Sequence, residues 1–360
     1  MPTPLEQLSQ NLSRLATHYD VTGLWPELSL QFLTQAGAWT WIVPREYGGL
    51  GLDPLSQIAA YEAAAAGCMS CALILTQRDG ACEFIASSEN QAARAALLPR
   101  LARHELMASI GISHLTTSRQ GAKPALTASA EGNAYRLNGF IPWVTAAPMC
   151  DGIVTAGVLN DGGQLLVWLP LKAEGVLIDP PMRLMALQSS QTCEVHCRNV
   201  RINAEHVLRG PLDDALRRRS PVKSLIVSAT GIGLAGALVR DMTAHAGDTK
   251  GPLRELLDDA IARYEGTRTR VMSFAADLAQ PDSNIPKLEI RVAVNDLLMR
   301  LALAAITFGK GTGFIRQRDT QRLAREALFF LVWSAPEDVR SKTLANFLEP
   351  PILETKSMPI

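Results

Sequence analysis

Trp143 and Thr145 are the residues of this chain whose types and spacing best suit a chemical role. Side chains two apart in a β-strand point to the same face, so a strand through residues 140–145 would set an indole beside a hydroxyl. A flat heteroaromatic ligand can stack on the indole while the hydroxyl reaches a nitrogen of its ring. The competing interpretation is ordinary packing, which is the commonest role of a Trp in a strand.

Three short β segments are predicted to position these two side chains. The dipeptide Asn138-Gly139 predicts a tight hairpin turn between residues 135–137 and residues 140–145. After a short loop, residues 152–159 form an apolar strand interrupted only by Thr155.

The phrase Leu-Asn-Gly followed by Trp-Val-Thr (residues 137–145) resembles the central β-domain of the acyl-CoA dehydrogenases. A second and independent phrase, VPREYGGLG at residues 43–51, is similar to a segment of the same family that precedes a long helix. The resemblance implies FAD as cofactor. It implies that Trp143 lies against the isoalloxazine ring, that the Thr145 hydroxyl bonds flavin N5, and that Ile112 and Ser113 hold the pyrimidine.

A glycine-rich stretch near the C-terminus extends the resemblance. FGKGTGF (residues 308–314) is similar to a family loop that contacts FAD across a subunit interface, which makes Gly309 and Gly311 candidate cofactor-binding residues. Because that family's FAD site borrows residues from a neighbouring subunit, a homodimer or homotetramer is expected.

The order of predicted elements agrees with that family over nearly the whole chain. Helical patterns fill residues 1–108, β signals fill 109–212, and helices return over 213–360, with a helix start at Ser220-Pro221. The predicted fold is therefore α+β and multidomain: an N-terminal α-helical domain, a central β-barrel-like domain and a C-terminal four-helix bundle.

The residues expected to do the family's chemistry are not all present. The commonest catalytic Glu falls at Ser334, the Glu of another branch falls at Lys223, and an Arg that holds CoA falls at Ser224. Dehydrogenation of an acyl thioester needs a base for the α-proton, and a serine with no adjacent base cannot supply one near neutral pH. Glu337 is a weak substitute, since a Glu at a helix N-terminus is common for structural reasons. The catalytic residues are therefore unknown.

Two further family phrases have diverged. His114 and Leu115 replace the Glu and Pro of a TEPxxGSD phrase. His114 is interpreted either as catalytic or, by preference, as a surface or half-buried histidine at a strand end. An RxxFG phrase whose Arg reaches the FAD diphosphate is missing, which leaves Lys250 or Arg254 to supply charge.

Composition excludes several classes of function. The formal net charge is zero and no basic block stands out, so nucleic-acid binding has no electrostatic support. The six cysteines lack metal-ligand spacing, and the CxxC at Cys68–Cys71 lies in an apolar helical run, so no metal site is expected and reduced core thiols are predicted. These features suggest a cytoplasmic protein without a membrane span.

Three functions remain open. The first is an FAD-dependent oxidoreductase that acts on an acyl thioester, acyl-CoA included, or on a related small substrate. The second is a flavin-dependent monooxygenase of the same fold. The third is a non-catalytic relative that binds flavin or serves as a scaffold.

Overall fold

The computed structural model describes residues 1–116, 123–217, 222–278 and 286–348. Helices come first within these ranges, and their bounds are α1 (Pro4–Thr22), α2 (Glu27–Gln35), α3 (Pro54–Gly67), α4 (Met69–Ala86) and α5 (Gln91–Ala102). Local signals set several ends. Thr3 and Glu6 form a capping box at the start of α1, and Gly23 ends that helix with a φ of 66°.

The middle of the chain forms one sheet of eight strands in the order β6-β7-β3-β2-β4-β5-β8, with β1 paired to β4 in parallel. A four-residue helix, α6, follows β1. The bounds are β1 (Ala108–Gly111), α6 (Ser113–Thr116), β2 (Leu126–Glu131), β3 (Ala134–Val144), β4 (Gly152–Val158), β5 (Gln164–Pro170), β6 (Val176–Ile178), β7 (Cys193–Asn203) and β8 (Val207–Leu212).

The hairpin turn predicted at Asn138-Gly139 is wrong, because β3 continues straight through that dipeptide. The turn between β2 and β3 lies at Gly132-Asn133, where Glu131 pairs with Ala134. Gly139 instead lies at a register shift in the pairing with β7 and has a φ of 128°. A Cβ atom there would lie 2.0 Å from the carbonyl oxygen of Ala125, so close backbone approach requires the glycine.

Helices return after the sheet, with the bounds α7 (Ile226–Ala246), α8 (Pro252–Asp277), α9 (Lys287–Gly309), α10 (Asp319–Phe329) and α11 (Glu337–Leu348). Helix α7 is almost entirely buried and packs against α3 and α9. The backbones of α3 and α7 meet at Gly233, where a Cβ atom would lie 2.2 Å from the Glu62 carbonyl oxygen.

One stretch of the described residues, Lys287–Phe314, is long and apolar enough to cross a membrane. Half of its most apolar window is buried inside the protein, which is typical of a core helix.

The predicted fold class is confirmed, with helices, then a central sheet, then helices. The domain boundaries at residues 108/109 and 212/213 stay predictions. The helix start predicted at Ser220-Pro221 lies outside the described residues.

Candidate functional site

Trp143 lies in a β-bulge at the end of β3. Ile141 pairs with Val195 and Val144 pairs with Cys193, so two residues of β3, Pro142 and Trp143, oppose one residue of β7. The bulge puts Trp143 at a φ of 58°, and its side chain remains 51% exposed. A left-handed backbone costs a non-glycine residue about 1–2 kcal/mol. The bulge therefore presents a large aromatic surface at the edge of the sheet.

Thr145 follows the end of β3 and is buried, so strand alternation does not place it beside Trp143 as the sequence suggested. Its Oγ1 lies 3.5 Å from Oγ1 of Thr192, which in turn lies 2.9 Å from Oγ of Ser190. The backbone N–H of Ala146 donates to the Ser190 carbonyl, which fixes this junction. The hydroxyls of Thr145, Thr192 and Ser190 thus form a buried row, which the sequence did not predict.

Ser113 and Trp143 are brought together by the fold, although they are far apart in the sequence. Ser113 follows Ile112 after β1, and its Oγ donates a hydrogen bond of 3.1 Å to the carbonyl oxygen of Pro142 in the bulge. Thr155 of β4 also binds β1, because its Oγ1 donates a hydrogen bond of 2.6 Å to the Gly111 carbonyl oxygen. Three of the predicted cofactor-binding residues, Ile112, Ser113 and Trp143, therefore lie at one end of the sheet.

His114 is buried rather than half-buried, with 4% of its surface exposed. Its Nε2 lies 3.0 Å from the carbonyl oxygen of Ala156 on β4, while its Nδ1 is buried without a partner among the described residues. Burial lowers the pKa of this histidine. The interpretation from the sequence as a surface or half-buried histidine is therefore wrong.

Gly309 and Gly311 lie where α9 gives way to a 3-10 helix, Lys310–Phe314, which packs on α9 and α10. A Cβ atom at Gly309 would lie 3.3 Å from Cγ2 of Thr320, so packing inside the chain favours that glycine. A Cβ atom at Gly311 would meet nothing within 4 Å. Its bare backbone is open to a group from outside the chain.

Ser334 lies in the turn between α10 and α11, Glu337 is the first residue of α11, and both are exposed. Ser334 has a φ of 45°. The turn is held by Arg291, whose Nη2 donates to the carbonyl oxygens of Phe330 (2.6 Å) and Trp333 (2.9 Å). Neither residue occupies a desolvated setting of the kind that makes a strong general base.

Every buried carboxylate among the described residues is paired with an arginine. The pairs and their distances are Asp20 with Arg325 (2.5 Å), Glu62 with Arg268 (2.5 Å), Asp79 with Arg78 (2.8 Å) and Glu326 with Arg322 (3.0 Å). Burial raises the pKa of Asp79 to about 6 against the effect of Arg78. A carboxylate held by an arginine is a poor candidate for the missing base.

One cluster of ligand-type side chains lies on the outside of the sheet, where Nε2 of His196 is 3.1 Å from Asp179 and 3.3 Å from Glu194. Hydrogen bonding within the cluster accounts for these distances. All six cysteines are buried and unbridged, as the composition suggested.

Comparison with known proteins identifies the fold's relatives. The family model for the N-terminal domain of acyl-CoA dehydrogenases matches residues 6–105. The probable acyl-CoA dehydrogenase FadE25 of Mycobacterium tuberculosis is 22% identical over 351 residues, which cover 92% of this chain and 90% of the relative. The chain is thus similar to acyl-CoA dehydrogenases over most of its length, and its N-terminal residues match the family model.

Several solved structures share this fold. Butyryl-CoA dehydrogenase from Megasphaera elsdenii superposes with a TM-score of 0.82 at 19% identity, covering 97% of this chain and 99% of that one. TdsC from Paenibacillus sp. A11-2, solved with FMN and indole, gives a TM-score of 0.82 at 15% identity, covering 96% of each chain. At such identities the likeness shows the fold alone.

The residues at the end of the sheet fit the ring of a flavin. Trp143 offers an open aromatic face at a strained φ. The Ser113 hydroxyl bonds the bulge at Pro142, while the buried Thr145 hydroxyl lies against Thr192. The diphosphate end is less complete, because Arg254 donates to Asp258 at 3.0 Å and is thereby engaged.

Proposed function

We propose that this acyl-CoA dehydrogenase relative is an FAD-dependent oxidoreductase that acts on an acyl thioester or a related small substrate. The observation that supports it most is the half-exposed indole of Trp143, held at a φ of 58° in a bulge. Backbone strain at an exposed aromatic residue has no packing reason, and strain of this kind clusters at ligand-binding sites.

Each residue has a role in this proposal. Trp143 covers one face of the flavin, Thr145 reaches its N5, and Ile112 and Ser113 hold its pyrimidine. Gly311, with Gly309 beside it, receives the cofactor of a neighbouring subunit in a homodimer or homotetramer. Bound FAD would supply the two-electron acceptor. The catalytic base is unassigned: Ser334 cannot serve, and Glu337 is a weak candidate.

The purified chain tests the proposal through FAD binding and one variant. We expect Trp143→Ala to weaken FAD binding by about tenfold, since a stacked aromatic contributes about 0.5–1.5 kcal/mol beyond its buried area. Isothermal titration calorimetry with FAD measures the change. The matched control is Leu212→Ala, which removes another half-exposed apolar side chain from the sheet. Equal FAD affinity in wild type and Trp143→Ala would contradict the assignment of Trp143 to the flavin site. A wild-type chain that binds no FAD would contradict the proposed function itself.

A flavin-dependent monooxygenase is the second candidate. It is favoured by the pairing of every described buried carboxylate with an arginine, because proton abstraction by a carboxylate then has no evident residue. TdsC, which has this fold, was solved with FMN and indole.

Two assays separate the candidates. Anaerobic bleaching of the bound flavin by a panel of acyl-CoA thioesters supports the oxidoreductase acting on thioesters. Failure to bleach, together with NADH-dependent oxygen consumption in the presence of a flavin reductase, supports the monooxygenase. A flavin-binding scaffold shows neither response. The buried, unbridged thiols support a reducing compartment, which is the cytoplasm in this proposal.

A further inference from the structure

Helix α6 is tied to two different strands by two consecutive side chains. Oγ of Ser113 donates to the Pro142 carbonyl of β3 at 3.1 Å. Nε2 of His114 lies 3.0 Å from the Ala156 carbonyl of β4. The first bond ends one residue before Trp143, so the position of this short helix bears directly on the bulge.

The hydrogen bond of His114 fixes its protonation. A carbonyl oxygen only accepts, so Nε2 carries the proton and donates. The Nδ1 atom is buried with no partner in the described part of the chain, and burial lowers the pKa of the ring. His114 is therefore a neutral donor with its second nitrogen enclosed in protein, a state that rigidly fixes the ring at one point on β4.

We propose that His114 is a positioning residue for the flavin ring. By anchoring α6 to Ala156, it keeps Ser113 on the Pro142 carbonyl and so holds the Trp143 bulge in the geometry that meets the ring. The inference rests on the proposed flavin-binding function, and it concerns a position where the resemblance to the family fails, since His114 stands in place of a glutamate.

Two substitutions separate positioning from general stability. His114→Leu keeps most of the buried volume and removes the donor. His114→Gln places an amide N–H near the position of Nε2 and restores the donor. Hydrogen–deuterium exchange of the ligand-free chain is followed in the peptide that spans residues 140–146, with β5 as the internal reference.

We expect exchange of residues 140–146 to accelerate about five- to tenfold in His114→Leu, the factor corresponding to one hydrogen bond, and to return towards wild type in His114→Gln. Riboflavin, which carries the ring without the diphosphate, serves as the binding probe. Its affinity is expected to fall by a similar factor in His114→Leu and to recover in His114→Gln.

Unchanged exchange over residues 140–146 in a folded His114→Leu variant would overturn the positioning role. Should that variant fail to fold, Ser113→Ala removes the other bond without opening a large cavity, and unchanged exchange there would overturn it equally. A wild-type chain that binds no riboflavin or FAD would defeat the proposed function. In that case the exchange result would still decide whether His114 orders the bulge.

Discussion

Trp143 combines a left-handed backbone with a half-exposed aromatic side chain. Its φ of 58° costs about 1–2 kcal/mol, and half of its surface remains in water, so burial recovers only part of that cost. The neighbouring Ala146 also has a positive φ, of 59°.

Replacing Trp143 with two small residues isolates this strain. We expect Trp143→Gly to have a free energy of unfolding about 0.5–1 kcal/mol higher than Trp143→Ala, because glycine adopts a positive φ without a Cβ clash. Both variants lose the indole and should bind FAD equally weakly. Urea denaturation measures the difference. An alanine variant as stable as the glycine variant would show that the bulge carries no backbone strain.

Buried ion pairs and hydrogen bonds attach helix α10 to helix α1. Arg322 contacts Glu326 at 3.0 Å and Asp319 at 2.8 Å, and its Nε donates to Thr17 of α1. Arg325 bonds Asp20 of α1 at 2.5 Å. Helix α10 is thus joined to the first helix of the chain by hydrogen bonds between side chains 305 residues apart in the sequence.

Removing one charged residue from this group of ion pairs should lower the stability of the protein. We expect Arg322→Met to lower the free energy of unfolding by about 3–5 kcal/mol, since Glu326 is then buried without its nearest partner. The double variant Arg322→Met/Glu326→Met should regain at least half of that loss, because no buried charge is left uncompensated.

Urea denaturation measures both changes, and the exposed pair of Arg263 and Asp259 supplies the control. Arg263→Met is expected to change the free energy of unfolding by less than about 1 kcal/mol. An Arg322→Met variant as mild as this control would contradict the assigned role of the buried pair.

At the scale of the whole molecule, large apolar side chains on the C-terminal helices are exposed to solvent. Leu256 of α8, Leu303 of α9 and Phe314 of the following 3-10 helix are 61%, 73% and 78% exposed. Helix α8 buries only Leu257, Val271 and Ala275 of its 26 residues. This surface agrees with the proposal of a homodimer or homotetramer, in which a neighbour covers it.

Leu303→Asp tests this proposal in solution. A charge in a covered apolar interface is costly to desolvate, so the variant should sediment as a smaller species than wild type in analytical ultracentrifugation. It should also bind FAD more weakly if Gly311 serves a neighbour's cofactor. Leu24→Asp, at another exposed leucine, is the control. A wild-type monomer, or a Leu303→Asp variant with unchanged sedimentation, would count against the proposed assembly.

The fold was predictable because its signals are local. Helical patterns were predicted up to residue 108 and β signals after it, and α5 ends at Ala102 while β1 begins at Ala108. The hairpin predicted at Asn138-Gly139 was wrong because Gly132-Asn133, six residues earlier, is an equally good turn sequence. The turn forms at the earlier site because β3 pairs with β7 on both sides of Asn138-Gly139. Gly139 was read as a turn glycine, whereas the approach of Ala125 is what requires it.

The candidate site was predictable only in part. Trp143, Thr145 and Ser113 were singled out from residue type and family resemblance, and the bulge that exposes one and buries another arises from register across two strands. His114 carried no sequence signal of burial, because the carbonyl it bonds belongs to Ala156, 42 residues away.

The sequence alone determined the order of helices and strands and the fold class, because periodicity, capping residues and motifs are written in neighbouring positions. The tertiary structure decided which hydroxyls meet the bulge, which histidine is buried and that each described buried carboxylate has an arginine partner. Such properties depend on side chains that approach through space, and no local pattern encodes the distance between them.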